Sequence, residues 1–207
     1  MTGRVRPGAS RRSYHHGDLR AALIDAVVEL IAEKGIRGFS ITEASRRLGV
    51  TSGAPYSHFA SRDDLLAAVA IRAAGELAAT LTARTPADLD PADRLGTAAR
   101  SYVTFASANR ALFEVLFGSG LDKQRHPELE AASQPVTDIF LAPALALCPD
   151  EASARDLAFT IAIAAHGHAT LLLDGAFGRD KPAVERAADH AAATARAIIG
   201  GWPRLYQ

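Results

Sequence analysis

Residues 39–66, FSITEASRRLGVTSGAPYSHFASRDDLL, place two capped helix starts and a glycine turn one after another, and that order decides the fold. Ser40 and Glu43 form an S-x-x-E box, in which the hydroxyl accepts an orphan backbone N–H and the glutamate reaches back to the cap. A short helix is therefore expected after Ser40, with Ile41, Ala44 and Leu48 on one face and Thr42, Arg46 and Arg47 elsewhere. Gly49 should end it in the left-handed conformation, and Val50 should turn back to the core. A second short helix is expected with Ser52 as its cap, because Pro55 lacks an N–H and fits only a first turn. That arrangement leaves the N–H groups of Gly53 and Ala54 free beside Tyr56, Ser57 and His58, a helix start that suits a phosphate. Ser61 and Asp64 repeat the capping pattern and open a third helix at Arg62.

This stretch resembles the DNA-binding signature of TetR-type transcription regulators. The pattern there is a hydroxyl cap, a small-residue helix, Gly-Val, a recognition helix ending Tyr-x-His-Phe, and a basic residue before the next helix. The chain supplies Ser40, Gly49-Val50, Tyr56-Ser57-His58-Phe59 and Arg62. It departs at Ala44-Ser45, where the family has a bulky aliphatic followed by alanine, and at Arg62, commonly lysine; somewhat looser packing of the first short helix is the expected result. Tyr14-His15-His16-Gly17-Asp18-Leu19-Arg20 resembles the lead into helix one of a family branch. His166-Gly167 and its surroundings resemble a C-terminal signature named for Trp, His and Gly, with Ala162 where the tryptophan usually stands.

The resemblance implies an all-α protein, with an N-terminal three-helix helix-turn-helix domain joined to a helical-bundle domain that binds an effector and dimerises. It implies a double-stranded DNA operator, a small-molecule effector and a second copy of the chain as partners, and no cofactor. Tyr56, His58, Ser40, Arg62 and the N–H groups of Gly53 and Ala54 are expected on phosphates. Thr42, Arg46, Thr51 and Ser52 are expected nearest to base edges.

Composition agrees with a regulator of this kind. Of 207 residues, 48% are apolar and 22% charged, and the formal net charge is zero. The charge is unevenly placed: residues 1–60 hold nine Arg/Lys and five Asp/Glu, net +4, so the remainder carries −4. A basic end that contains the helix-turn-helix is the electrostatic footprint of a nucleic-acid surface. The single Cys148 fits a reducing cytoplasm and reads as a small buried residue. The N-terminus shows no secretory pattern, and residues 157–173 are interrupted by Thr160, His166, Gly167, His168 and Thr170, so a cytoplasmic location with no membrane span is expected.

Outward from the motif, residues 1–13 read as a disordered basic arm, 14–62 as the DNA-binding domain and 63–207 as the effector and dimer domain. Asp18 is the expected cap of a first helix ending at Lys34-Gly35. A long helix should run from Arg62 to Arg84, and Asp90-Pro91 should start the next. Asn109 is expected to cap a helix over 110–117, and Pro127 to open another, which Pro135 and Pro143 should kink or divide. Two alanine-rich helices, 152–173 and 183–199, have more apolar surface than one small domain covers, which predicts a homodimer. Gly200-Gly201 should end the last one. Phe105, Phe113, Phe117, Phe140, Phe159 and His166 are the expected lining of an apolar effector cavity. The alternative is an all-helical enzyme using His126, His166, His168 and Asp174, which leaves the Ser40 to Arg62 pattern unexplained. No metal site is expected from His15-His16 or from His166 and His168, which do not share a helix face.

Overall fold

The computed structural model of the chain describes residues 19–122, 124–178 and 180–205. The basic arm, His15-His16 and the Asp18 cap lie outside the described residues. Those residues form eight α-helices and one 3₁₀ turn: α1 (Leu19–Lys34), α2 (Ile41–Leu48), the turn (Ala54–Ser57), α3 (Arg62–Arg84), α4 (Pro91–Ala108), α5 (Arg110–Gly118), α6 (Pro127–Leu145), α7 (Glu151–Leu173) and α8 (Lys181–Leu205).

Local chemistry sets most of these boundaries. α1 buries Leu23, Val27, Leu30 and Ile31, a single helical stripe. Ser40 accepts the Glu43 N–H at 3.2 Å, and Gly49 ends α2 at φ 69° with its N–H on the Arg46 carbonyl. The Glu43 carboxylate is taken up by Lys34 and, at 3.5 Å, Arg46. Ala44 and Ser45 are both buried, and the Ser45 hydroxyl donates to the Ile41 carbonyl at 3.0 Å, so this small face leaves no polar group unsatisfied. Ser61 accepts the Asp64 N–H at 3.1 Å, and Asp90 accepts those of Ala92 and Asp93.

Four expectations need correcting. The second helix of the motif is only one 3₁₀ turn; Gly53, not Ser52, precedes it, and the Ala54 N–H is bonded to the Thr51 carbonyl at 3.0 Å and so is not free. Glycine and proline two residues apart in the first turn weaken nucleation and remove a donor, so the segment is held by the buried Pro55 and Phe59 instead. Asn109 makes no capping bond to α5; its side-chain amide donates back to the Phe105 carbonyl at 3.2 Å, closing the end of α4. α6 continues through Pro135 and Pro143 as one helix, so of the expected kink or division the division does not occur. Pro135 is exposed, so the carbonyl it frees one turn back can turn to water. Finally, α8 passes through Gly200-Gly201 to Leu205. Burial of Trp202, 8% exposed, offsets the roughly 1 kcal/mol that each glycine costs a helix.

Two cores result. The N-terminal one joins α1, α2, the start of α3 and Phe59, and it also takes Leu112 and Val115 from α5 and Leu129 from α6. The larger one lies among α4, α6, α7 and α8, with Leu77 and Leu81 from the far end of α3. α3 and α7 are long and apolar enough to cross a membrane by length and composition, but each packs against other helices of the chain.

Candidate nucleic-acid interface and cavity

The motif presents most of its polar side chains outward. Ser40, Thr42, Arg46, Thr51, Ser52, Gly53, Ser57 and His58 are exposed, Tyr56 is 57% exposed, and Ala54 is half-buried. Arg46 has 80% of its side chain in solvent and only the distant Glu43 contact. Its neighbour Arg47 points the other way. Its guanidinium bonds Glu33 at 2.7 and 3.0 Å and Glu29 at 3.3 Å, tying α2 to α1; hydrogen bonding to Arg47 holds the Glu33 carboxyl below its ordinary value. Arg62 is also turned inward. It donates to the Ile36 carbonyl and lies over the Phe39 ring, 4.2 Å from the centroid. It braces the loop after α1, with one of its five N–H donors on the carbonyl and its plane on the aromatic face.

A cavity of about 560 Å³ lies between α4, α5, α6 and α7. Three of the expected phenylalanines line it: Phe117, Phe140 and Phe159, the last 68% exposed. Phe105 does not; it is 2% exposed and packed in the larger core. Phe113 and His166 stand behind the wall, stacked on one another at 5.3 Å, and the His166 ring meets Phe117 edge-on at 4.8 Å. Sequence reasoning missed Tyr102, which lines the cavity and hydrogen-bonds His166 Nδ1 at 3.1 Å. The available signal was its position one turn before Phe105 on a buried face. Burial raises the Tyr102 phenol well above its ordinary value and lowers the His166 imidazole, so both rings are neutral near neutral pH.

The four residues of the enzymatic alternative do not converge. His126 is buried beside Glu128 at 3.5 Å, His166 is bound to Tyr102, His168 donates its Nδ1–H to the Ala164 carbonyl, and Asp174 follows α7 as an exposed residue. Among the described residues, no group of three or more His, Cys, Asp or Glu is placed to hold a metal ion.

Comparison with known proteins agrees with this geometry. Residues 23–69 match the family of bacterial regulatory proteins of the tetR type, and residues 95–195 match the tetracyclin repressor-like C-terminal domain. An HTH-type transcriptional repressor of Mycobacterium tuberculosis and an HTH-type transcriptional regulator of Mycobacterium bovis are each 33% identical over 87 residues, 41% of this chain and 46% of the relative. The chain thus matches about half the length of these curated relatives. A Rhodococcus protein of unknown function superposes with a TM-score of 0.73 at 26% identity, covering 95% of this chain and 100% of its own. A tetR-family regulatory protein from Rhodococcus gives 0.67 at 21% identity, covering 87% and 96%. A TetR variant from Acinetobacter baumannii, solved with minocycline, gives 0.63 at 19% identity, covering 90% and 97%. The family and its named relatives are regulators, not enzymes. With one family match on the helix-turn-helix and a second on the bundle that holds the cavity, this chain belongs to the TetR family.

Proposed function

We propose that the protein is a sequence-specific DNA-binding repressor that works as a homodimer in the cytoplasm and leaves its operator when a small apolar or amphipathic effector fills the cavity. The observation that carries the DNA-binding reading is the grouping of exposed Arg46, Thr51, Ser52, Tyr56 and His58 along one capped, rigidly turned segment. Tyr56, His58, Ser40 and the Gly53 N–H take phosphates; Thr42, Arg46, Thr51 and Ser52 face base edges. Arg62 positions the loop that carries them. The curated repressor from M. tuberculosis supports repression.

The dimer reading rests on α7, where Ile163 and Leu171 are exposed about two turns apart, a stripe that a second copy would cover. In such a dimer the two motifs must sit about 34–36 Å apart, or a multiple, to enter successive major grooves on one side of DNA. Coupling runs through α5 and α6. Both line the cavity and both place a side chain in the N-terminal core, so a shift of either to admit an effector tilts α1 and α3 and changes that separation. DNA and effector then oppose one another by one coupling energy. The minocycline complex of a structural relative supports the use of this bundle for a small molecule.

Fluorescence anisotropy with a labelled duplex from the chain's own upstream region tests the reading. Saturable, salt-sensitive binding reversed by a compound that fills the cavity is expected. Binding equal to that of scrambled DNA would sink it.

A further inference from the structure

Within that cavity the chemistry is uneven along its length. α7 contributes Arg155 and Asp156 at one end and Ala162 at the other, which is about 10 Å away at 1.5 Å per residue. One turn beyond Ala162 comes His166, with Tyr102 bonded to it. The charged end is open: Arg155 and Asp156 are exposed, and Arg155 is paired to Glu151 at 2.5 Å. The inner end is aromatic, with Tyr102 lying 6.0 Å from Phe117 and 6.5 Å from Phe140, and carries no charge. Tyr102 is 4% exposed yet belongs to the cavity wall. Its single bond to His166 leaves part of the hydroxyl unused in either imidazole tautomer. The oxygen lone pairs remain if the hydroxyl donates to Nδ1, and its proton remains if Nδ1–H donates.

We infer that Tyr102 is a specificity-determining residue for the effector: its hydroxyl, set by His166, hydrogen-bonds the uncharged hydroxyl or carbonyl group of a flat aromatic molecule whose ring lies between Phe117 and Phe140. The inference rests on reading this cavity as the effector site. Aromatic walls favour a planar ring, which can stack or meet them edge-on, over a branched aliphatic body. A neutral donor or acceptor pairs with the hydroxyl. A carboxylate or ammonium at the inner end loses its hydration with no opposite charge to meet it. A hydrogen-bonding site also discriminates against an analogue that lacks the group, since the lone pair or proton that the His166 bond leaves on the buried hydroxyl then meets no partner. His166 acts as a positioning residue, holding the phenol at a fixed angle without touching the effector.

The test uses three probes of one shape, naphthalene, naphthol and naphthoate, titrated into the full chain by calorimetry or probe fluorescence. Wild type should bind naphthol about fivefold to tenfold more tightly than naphthalene, a ratio typical of one net hydrogen bond, and naphthoate more weakly than either. Tyr102→Phe should bring naphthol down to naphthalene while leaving naphthalene unchanged. His166→Leu should reduce the same ratio, and it provides the measurement if Tyr102→Phe does not fold. Ala162→Trp, which fills the cavity, should abolish all three. Equal binding of naphthol and naphthalene by wild type, a preference retained in Tyr102→Phe, or tightest binding of naphthoate overturns the inference while the cavity reading stands. If no probe binds, or if Ala162→Trp has no effect on binding, the cavity reading fails and the inference with it.

Discussion

Leu112 and Phe113 are neighbours on α5 and belong to different cores: Leu112 packs into the N-terminal one, and Phe113 sits edge-on to Tyr102 at 5.8 Å in the other. Truncation at either therefore perturbs stability as well as signalling. Phe113→Ala should cost about 3–5 kcal/mol in urea unfolding, as for other buried rings. Phe159→Ala, at an exposed position on the cavity rim, should stay within about 0.5 kcal/mol of wild type. Only the second variant isolates the response. Its effector midpoint should shift while effector-free operator affinity is unchanged; an unchanged midpoint would remove Phe159 from the site.

Tyr56 and Arg46 should separate positioning from base reading. Tyr56→Phe removes a hydroxyl proposed to meet a phosphate and should weaken every duplex alike. Arg46→Ala should relax preference at one base position by about 1–3 kcal/mol, the value of a good side-chain contact to a base edge. Binding across a duplex library checks this, and matching specificity profiles for the two variants would contradict the division.

Gly38 and Gly49 should respond differently to alanine. Gly49 has φ 69°, so Gly49→Ala puts a Cβ into the left-handed region at a cost of about 1 kcal/mol, with open space around it. At Gly38 the added Cβ would lie 2.4 Å from the Lys34 carbonyl oxygen, a backbone atom that cannot step aside. Gly38→Ala should therefore lower the urea midpoint more than Gly49→Ala and displace the end of α1. The reverse order would show that the loop after α1 can rearrange.

Acid should act first through His166. Burial lowers its folded pKa, so the unfolded chain binds the proton more readily, and the stabilisation is present above the unfolded value of about 6.5 and lost as pH falls through the folded one. Glu33, Glu43, Asp90 and Asp150, all held below their ordinary values by hydrogen bonds, contribute above about pH 4 and are lost at still lower pH. Thermal unfolding between about pH 7 and 5 should thus show a slope that His166→Gln flattens, with the lower limb retained. A slope identical in both proteins would rule out His166 as its source.

The exposed stripe on α7 gives a direct assay of assembly. Ile163→Asp places a charge where a second copy would have to bury it, so light scattering at micromolar concentration should report a monomer, against a dimer for the wild type. Operator affinity should fall with it, since two linked motifs bind far more tightly than one. A wild-type monomer would dismiss the dimer.

What could be read from residues alone was local. Ser40, Gly49, Ser61 and Asp90 each terminate a helix by bonds within a few positions, and each is legible as a short pattern. The failures came where distant packing decides. Trp202, buried against α8's neighbours, carries that helix past two glycines, and Pro135 is tolerated within α6 at an exposed position. In the motif, Gly53 and Pro55 read as a helix start because the pattern does not say that a single turn is enough. Tyr102 was missed for a related reason. Its place one turn before Phe105 marks only a buried face, and its further meaning appears when α7 brings His166 to its hydroxyl, 64 residues along the chain.

The sharing of α5 and α6 has one more consequence, for how such a protein can be taken apart. Leu112, Val115 and Leu129 complete the core around α1 and α3, yet they are encoded well beyond the motif. A fragment cut at Arg84 would leave that core with a hole on one side, so the DNA-reading end is not a transplantable module. A chimera that grafts this specificity onto another sensor must carry α5 and the start of α6 with it, or rebuild those three side chains in the recipient. Evolution faces the same constraint: a new sensor can be acquired only through changes that keep these helices fitted to the reader.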